Sequence, residues 1–291
     1  MVNSSQPLVS VVMPSFNQAS FIERAINSIL GQSYSPIELW VVDGASTDGT
    51  VELLMDLQKA DTRLHVLSES DDGPADALNK GFQRARGTVI GWLNADDCYT
   101  LGAIARAVQY FMQYPHHLMV YGEGEHIDEA GSYLERYPTQ PVSEGIDAMV
   151  DGCFICQPTV FFRRTFHILL GALDVQLKTA FDFEYWLRAF KYFPERIGYI
   201  EAVQAQSRLH DSCITRSQRR TVALEGMEVI ARYLGQAPAH WLLTYREELL
   251  TESVDFEGEL GPHLLETLAI AKPWLSAADY GRLERIFSTT S

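Results

Sequence analysis

The chain has 291 residues, 46% hydrophobic and 21% charged, with a formal net charge of −15. That length and apolar content suit one large soluble domain or two small ones. The acidic balance excludes a general affinity for nucleic acid or an anionic membrane face, since both rely on clustered Lys and Arg. No stretch approaches an uncharged membrane span, and residues 1–7 lack the basic and apolar regions of a signal peptide, so a cytoplasmic location is expected.

Val9–Met13 reads as a strand that Pro14 should end, because proline cannot donate to a central ladder. Ser20 and Glu23 form a capping-box pattern ahead of Ile22, Ala25, Ile26, Ile29 and Leu30 at helical spacing, with Gly31 as the stop. Glu38–Asp43 is a second strand, and residues 44–49 turn into a helix carrying Val51, Leu54 and Met55. Leu64–Leu67 is a third strand, followed by a helix over Ala75–Ala85. Thr88–Leu93 is a short apolar run that reads as a buried strand and delivers Asn94, Asp96 and Asp97 at its C-terminal edge. Strands alternating with helices imply parallel pairing in a right-handed α/β sheet.

Beyond Asp97 the alternation weakens. A helix over Leu101–Tyr114 is followed by segments rich in Gly, Pro and aromatics, read as irregular, and further helices start near Asp182, Thr221 and Trp241. The expected division is a donor half over 1–100, an acceptor half over 101–235 and an acidic helical extension over 236–291, the last marked by Glu247, Glu248, Glu252, Asp255, Glu257 and Glu259. Cys98, Cys153, Cys156 and Cys213 are too few and scattered for a disulfide framework. The Cys153–Cys156 spacing lacks the second pair or His that a zinc site needs.

In a parallel sheet the C-terminal strand ends converge on one crevice, which predicts that Pro14–Asn17, Asp43, the Asp71–Asp76 stretch and Asp96–Asp97 line one site. Adjacent carboxylates repel unless a cation or donors compensate them, and Mg²⁺ or Mn²⁺ held by carboxylates and substrate phosphates is the usual solution. The alternative is that one Asp caps the following helix and the other faces solvent. No G-x-G-x-x-G follows a strand, and Thr50 and Val51 stand where a P-loop needs Lys and Ser or Thr, so a dinucleotide cofactor and a P-loop ATPase are both rejected.

Val9–Asn17, Val41–Thr50, Asp72–Gly81, Leu93–Asp97 and Gln157–Arg164, in this order and spacing, resemble family 2 glycosyltransferases of the GT-A fold, in particular bacterial members that build surface polysaccharides. The resemblance runs from about Leu8 to Thr215 and implies a Rossmann-like, mostly parallel central sheet flanked by helices. It also implies an inverting enzyme that moves a sugar from a nucleotide-diphosphate donor, a UDP-sugar by family frequency, to a saccharide or lipid-linked acceptor. The donor is expected to contact Pro14, Ser15, Phe16, Asn17, Asp43, Asp76, Lys80, Asn94, Asp96 and Arg208. The metal is expected on Asp97, Asp96 and His210, with Asp97 nearer to it and Asp96 nearer the ribose.

Asn94 stands where this family frequently has Asp, and Gly44 replaces a second Asp, which leaves open which group reads the base edge. Asp182, flanked by Phe181 and Phe183, matches the catalytic-base motif, and its aromatic neighbours should raise its pKa. A lipid-linked acceptor implies transient contact with the inner face of a membrane. Two other functions share the fold: a sugar-phosphate nucleotidyltransferase, against which the absence of a glycine-rich, Arg-containing first loop counts, and a non-catalytic nucleotide-sugar-binding module.

Overall fold

The computed structural model describes residues 6–251 and 259–290. Within them the chain forms two compact units: residues up to Ser143 with Phe154–Lys178 and Tyr192–His210, and Glu144–Cys153 with Thr179–Lys191 and the chain from Asp211 onward. The expected boundaries at 100 and 235 do not coincide with this division. The backbone passes between the units repeatedly, so no single shift of composition along the sequence marks the change.

The first unit carries β1 (Val9–Ser15), α1 (Ile22–Leu30), β2 (Ile37–Asp43), α2 (Thr50–Ala60), β3 (Leu64–Ser68), α3 (Pro74–Arg84), β4 (Val89–Trp92), β5 (Cys98–Tyr99), α4 (Ala103–Gln113), β6 (Met119–Ile127), β7 (Tyr133–Arg136), β8 (Phe161–Arg163), α5 (Arg164–Leu170) and β9 (Ile197–Arg208). The strands form one mixed sheet in the order β3-β2-β1-β4-β8-β6-β9-β5, with β7 paired to β6. From β3 to β4 the pairing is parallel, as the alternation implies. β8 then runs antiparallel to both β4 and β6, and β6 lies parallel to β9. β6 is a long strand where irregular chain was expected, and β9 is a second long strand for which no element was predicted. The apolar positions of β6 are interrupted by Gly122, Glu123, Gly124 and Glu125, and register shifts at Glu123 break the period-two pattern.

β1 is buried along its whole length and packs Val9, Val11 and Met13 against Ile22, Ile26 and Ile29 of α1. Burying such a side chain contributes about 1.5–3 kcal/mol. Contrary to expectation, Pro14 lies inside β1, opposite Val42. Val12 O accepts from Leu93 N on the β4 side, so strand alternation turns the Pro14 nitrogen to that side as well. Pairing with β4 stops at Val12–Trp92, and the missing N–H therefore costs no ladder bond. Nor does a capping box start α1: its N-cap is Phe21, without a side-chain bond, and Gln18 O takes the N–H groups of Phe21 and Ile22 instead.

The second unit is helical: α6 (Phe181–Tyr192), α7 (Ile214–Ser217), α8 (Arg219–Leu234), α9 (His240–Thr251), α10 (Leu260–Ala271) and α11 (Ala277–Phe287). α8 packs on α9 and α10, and α10 on α11. Met227, Ile230, Leu242, Leu264, Leu268, Leu283 and Phe287 of these helices are fully buried. Of the acidic residues expected in the extension, Glu252, Asp255 and Glu257 lie outside the described residues. Among the described residues, no helix is long and apolar enough to cross a membrane.

Candidate active site

Three strand ends of the first unit stand in register: Ser15 of β1, Asp43 of β2 and Ser68 of β3. Asp43 is fully buried. Its carboxylate accepts from Ser15 Oγ (3.3 Å), Ser68 Oγ (2.9 Å), Ser46 N (2.9 Å) and Ser46 Oγ. Four donors fill the lone-pair sites of a carboxylate, so Asp43 is fully engaged by the protein.

The loop after β1 is latched to the loop after β2 by four hydrogen bonds. Asn17 N donates to Ser46 Oγ at 2.7 Å, Thr47 N to Asn17 Oδ1 at 2.9 Å, Gln18 N to Thr50 Oγ1 at 2.9 Å and Ala19 N to Asp48 Oδ2 at 3.0 Å. Asn17 adopts φ +52, a left-handed conformation that Asn tolerates. This latch leaves the Phe16 ring 61% exposed beside the buried Ser15.

Gly44 leaves room for the carboxylate of Asp71, the first residue of the Asp71–Asp76 stretch expected at the site. A Cβ at position 44 would fall 2.9 Å from Asp71 Oδ2, so Asp71 fills the space of the missing side chain. Asp71 is half-buried and accepts from Gly73 N at 2.9 Å. Burial and the nearby charges of Asp76 and Asp43 raise its pKa, against the Gly73 bond and Lys80, which lower it. The signal in the sequence is Gly44 at the end of β2 together with the Asp71-Asp72-Gly73 run that follows β3.

On the other side of β1, β4 ends at Trp92 and the chain turns through Asn94, Asp96 and Asp97. Neither Asp caps the following helix, because the N-cap of α4 is Gly102 in a left-handed conformation without a side-chain bond. Asp97 is 3% exposed and accepts from Arg208 N at 2.9 Å. Burial and the charge of Asp96 push its carboxyl well above the usual range, against the N–H and charge of Arg208. Asn94 bridges outward, accepting from Trp92 Nε1 at 3.1 Å and donating to Asp97 Oδ2 at 3.3 Å.

The more open carboxylate is Asp96, whose Oδ2 lies 3.0 Å from His210 Nε2, with side chains 17% and 4% exposed respectively. The His210 ring leans on Phe21, with centroids 4.7 Å apart. Asp97 is thus enclosed, while Asp96 is partly open and paired with the buried His210.

Arg208, expected over a diphosphate, is 3% exposed and acts as a strut. Its guanidinium donates to the carbonyls of Asp96 (2.8 Å), Asp128 (2.9 Å) and Glu129 (2.9 Å) and lies over the Phe21 ring at 5.2 Å. Lys80 is paired with Asp76 (3.0 Å) and Glu69 (3.1 Å), which neutralises the cation expected to meet phosphate.

Asp182 belongs to the second unit. It sits in the first turn of α6, half-buried, where its Oδ1 accepts from Phe183 N at 2.7 Å. Burial raises its pKa to about 6, against the hydrogen bonds of its own N–H and that of Phe183.

Among the described residues, no group of three or more His, Cys, Asp or Glu forms a self-sufficient metal cage. Asp96 and His210 nevertheless fit a divalent ion that takes its remaining ligands from a diphosphate and water. Mg²⁺ and Mn²⁺ are held in that way in nucleotide sites, through one or two protein groups.

A parallel sheet with carboxylates at its strand ends, continued by antiparallel strands, is the architecture of the GT-A fold. Solved structures agree on the fold. S. aureus TarS 1–349 in complex with UDP superposes with a TM-score of 0.66 at 16% identity, covering 97% of this chain and 90% of that one. The mannosyltransferase PcManGT from Pyrobaculum calidifontis, in complex with GDP-Man and Mn²⁺, gives 0.62 at 19% identity, with 99% and 84% covered. Residues 10–168, more than half of the chain, match the model of glycosyl transferase family 2, and the chain belongs to that family.

The chain is 29% identical over 215 residues to the putative teichuronic acid biosynthesis glycosyltransferase TuaG of Bacillus subtilis, covering 73% of this chain and 83% of TuaG. It is 26% identical over 278 residues to an uncharacterized glycosyltransferase of Rickettsia conorii, covering 91% of this chain but spanning only 42% of that longer protein.

Proposed function

We propose that the protein is a metal-dependent, inverting glycosyltransferase that moves a sugar from a nucleotide-diphosphate donor, a UDP-sugar first, to a hydroxyl of a saccharide or lipid-linked acceptor in polysaccharide synthesis. The observation that carries this reading is the Asp96–His210 pair beyond the end of β4, in the same sheet whose parallel strands β1, β2 and β3 end at Ser15, Asp43 and Ser68. TarS with UDP and PcManGT with GDP-Man and Mn²⁺ support a nucleotide donor and a divalent ion. TuaG supports a surface-polysaccharide acceptor.

Asp71, with lone pairs left over after its bond to Gly73, accepts from the N–H edge of the base, and the exposed Phe16 ring covers the base face. Asp43 holds the two loops that frame this subsite and does not itself read the base. Asp76 and Asn94 serve the ribose side, and Lys80 keeps Asp76 in place. Asp96 and His210 hold Mg²⁺ or Mn²⁺, while Asp97 and Arg208 fix the loop that carries Asp96.

When bound, the ion neutralises charge developing on the departing diphosphate. Asp182, with a pKa near 6 and so ionised at neutral pH, takes the proton of the attacking acceptor hydroxyl. One displacement with no covalent intermediate inverts the anomeric carbon. The acceptor brings the enzyme to the cytoplasmic face of the membrane only transiently.

Incubation with labelled UDP- and GDP-sugars, Mn²⁺ and lipid-linked or oligosaccharide acceptors tests this directly. Release of free nucleoside diphosphate with an inverted linkage is expected. Pyrophosphate release would identify a nucleotidyltransferase, and binding without turnover a non-catalytic module.

A further inference from the structure

One side chain of α8 reaches the point where α6 begins. Glu225 Oε2 accepts three hydrogen bonds, from Thr179 N at 2.7 Å, Thr179 Oγ1 at 2.8 Å and Ala180 N at 3.0 Å. Ala180 O accepts from Glu184 N at 2.9 Å, which places Ala180 at the N-cap of α6. The backbone N–H groups that Glu225 takes are those of Ala180 and of the residue before it, so a carboxylate 45 residues downstream anchors the chain as it enters α6. The negative charge also sits where a helix N-terminus favours one.

Asp182 lies two residues beyond this cap, with its carboxylate against the backbone N–H of Phe183. The same turn is gripped again from α9, where Trp241 stacks on Phe183 with centroids 6.1 Å apart. Gly226, next to Glu225, lets that indole close in, since a Cβ at 226 would fall 2.4 Å from it. Further along α6, the nearly buried Glu184 accepts from Arg188 Nη2 at 2.7 Å and from the Tyr233 hydroxyl of α8. α6 is thus tied to α8 at two levels, and the tie nearest Asp182 is Glu225.

We propose that Glu225 is the positioning residue for Asp182: by capping α6 from α8, it holds the Asp182 carboxylate in the single orientation that meets the acceptor hydroxyl. This inference rests on the reading of Asp182 as the base. A positioning group that slips by about 1 Å can cost about 10²-fold in rate, so the expected loss falls on turnover. Nucleotide binding, which uses groups of the first unit, is left alone.

The test compares Glu225→Ala, Glu225→Gln and Glu225→Asp with wild type and Asp182→Asn in the full chain. The donor is whichever UDP- or GDP-sugar wild type turns over, and the binding probe is the matching free nucleoside diphosphate with MnCl₂. Glu225→Ala should lower kcat by about 10–100-fold with donor KM and nucleotide Kd within about twofold. Glu225→Gln keeps an oxygen able to accept the same three bonds and should restore kcat to within about threefold of wild type.

If Glu225→Ala does not fold, Glu225→Asp, which keeps the charge but withdraws the oxygen by about 1.5 Å, should show the kcat loss without the KM change. Full turnover in Glu225→Ala beside an inactive Asp182→Asn would overturn the positioning role and leave the base assignment standing. Turnover in Asp182→Asn would remove the base, and the positioning role with it. Equal losses of kcat and nucleotide binding across all three Glu225 variants would make Glu225 a general structural residue and overturn the proposal.

Discussion

Asp96 and His210 lie 114 positions apart in the chain, yet Asp96 Oδ2 and His210 Nε2 are 3.0 Å from each other at the end of β4. β9 delivers the histidine: its last residue, Arg208, donates its backbone N–H to Asp97 and its guanidinium to the carbonyl of Asp96. A carboxylate and an imidazole so placed can share a divalent ion whose other ligands come from phosphate. His210→Ala should leave the melting temperature within a few degrees but weaken Mn²⁺ affinity in the presence of UDP by about 10–100-fold, the usual scale for disturbing a metal site. Calorimetric titration of MnCl₂ into the protein with UDP measures this, and unchanged affinity would remove His210 from the site.

Arg208 makes the opposite prediction. A phosphate-binding arginine, once removed, costs affinity and little stability. This one satisfies three backbone carbonyls in the interior, so Arg208→Met should cost about 2–5 kcal/mol of folding stability. Urea unfolding reads the loss. A variant as stable as wild type that fails only in nucleotide binding would return Arg208 to the diphosphate.

Gly44 and Asp71 divide one position between them. Gly44→Ala drives a methyl group against the Asp71 carboxylate and should weaken UDP binding about tenfold, with about 1–3 kcal/mol of destabilisation from overpacking. Asp71→Ala should spare stability, weaken UDP, and leave ADP, which lacks the ring N–H that uracil offers, bound as before. Equal losses for UDP and ADP would exclude Asp71 as the reader of the base.

The sign of the Asp182 shift fixes a pH dependence. Its folded pKa of about 6 lies above the ordinary carboxyl value of 3.8. The native state therefore holds a proton that the unfolded state has lost between about pH 4 and 6, and stability falls as pH rises through that window. Asp182→Asn should be more stable than wild type by about 1–3 kcal/mol at pH 7.5, with the difference vanishing below about pH 4. Wild-type kcat/KM should rise with pH through a midpoint near 6, as a base that must be ionised requires. A flat profile together with an unaltered Asn variant would exclude the base assignment.

The donor half was legible because its signals are local. Each parallel strand is a continuous apolar run, each helix shows its buried stripe, and β1, β2 and β4 end on residues whose chemistry stands out. Pro14 misled because the rule against proline in a strand depends on which neighbour its nitrogen faces, and only the register reveals that β4 has already turned away. β6 and β9 were missed because glycines and glutamates interrupt their alternation, so their pairing is settled only by partners far along the chain.

The site divided in the same way. Asp43 and Asp96 can be picked out by motif, but whether a carboxylate is saturated or available depends on donors from other loops, such as Ser46 and Ser68 for Asp43. Arg208 could not be recognised as a strut from sequence, since the three carbonyls it holds carry no side-chain signature. Glu225 was hidden for a similar reason: a cap is expected within a few residues of the helix it serves, and this one arrives from another helix.

The central claim is that a divalent ion held at Asp96 assists departure of the nucleoside diphosphate. It is tested most directly by measuring nucleoside diphosphate release from the preferred donor by wild type and by Asp96→Asn, each across a MnCl₂ titration after EDTA treatment. Wild type should be silent without metal and saturate with it, and the Asn variant should lose about 10²-fold or more at every Mn²⁺ concentration while keeping its fold. Full turnover by metal-free wild type, or by Asp96→Asn, would contradict the account.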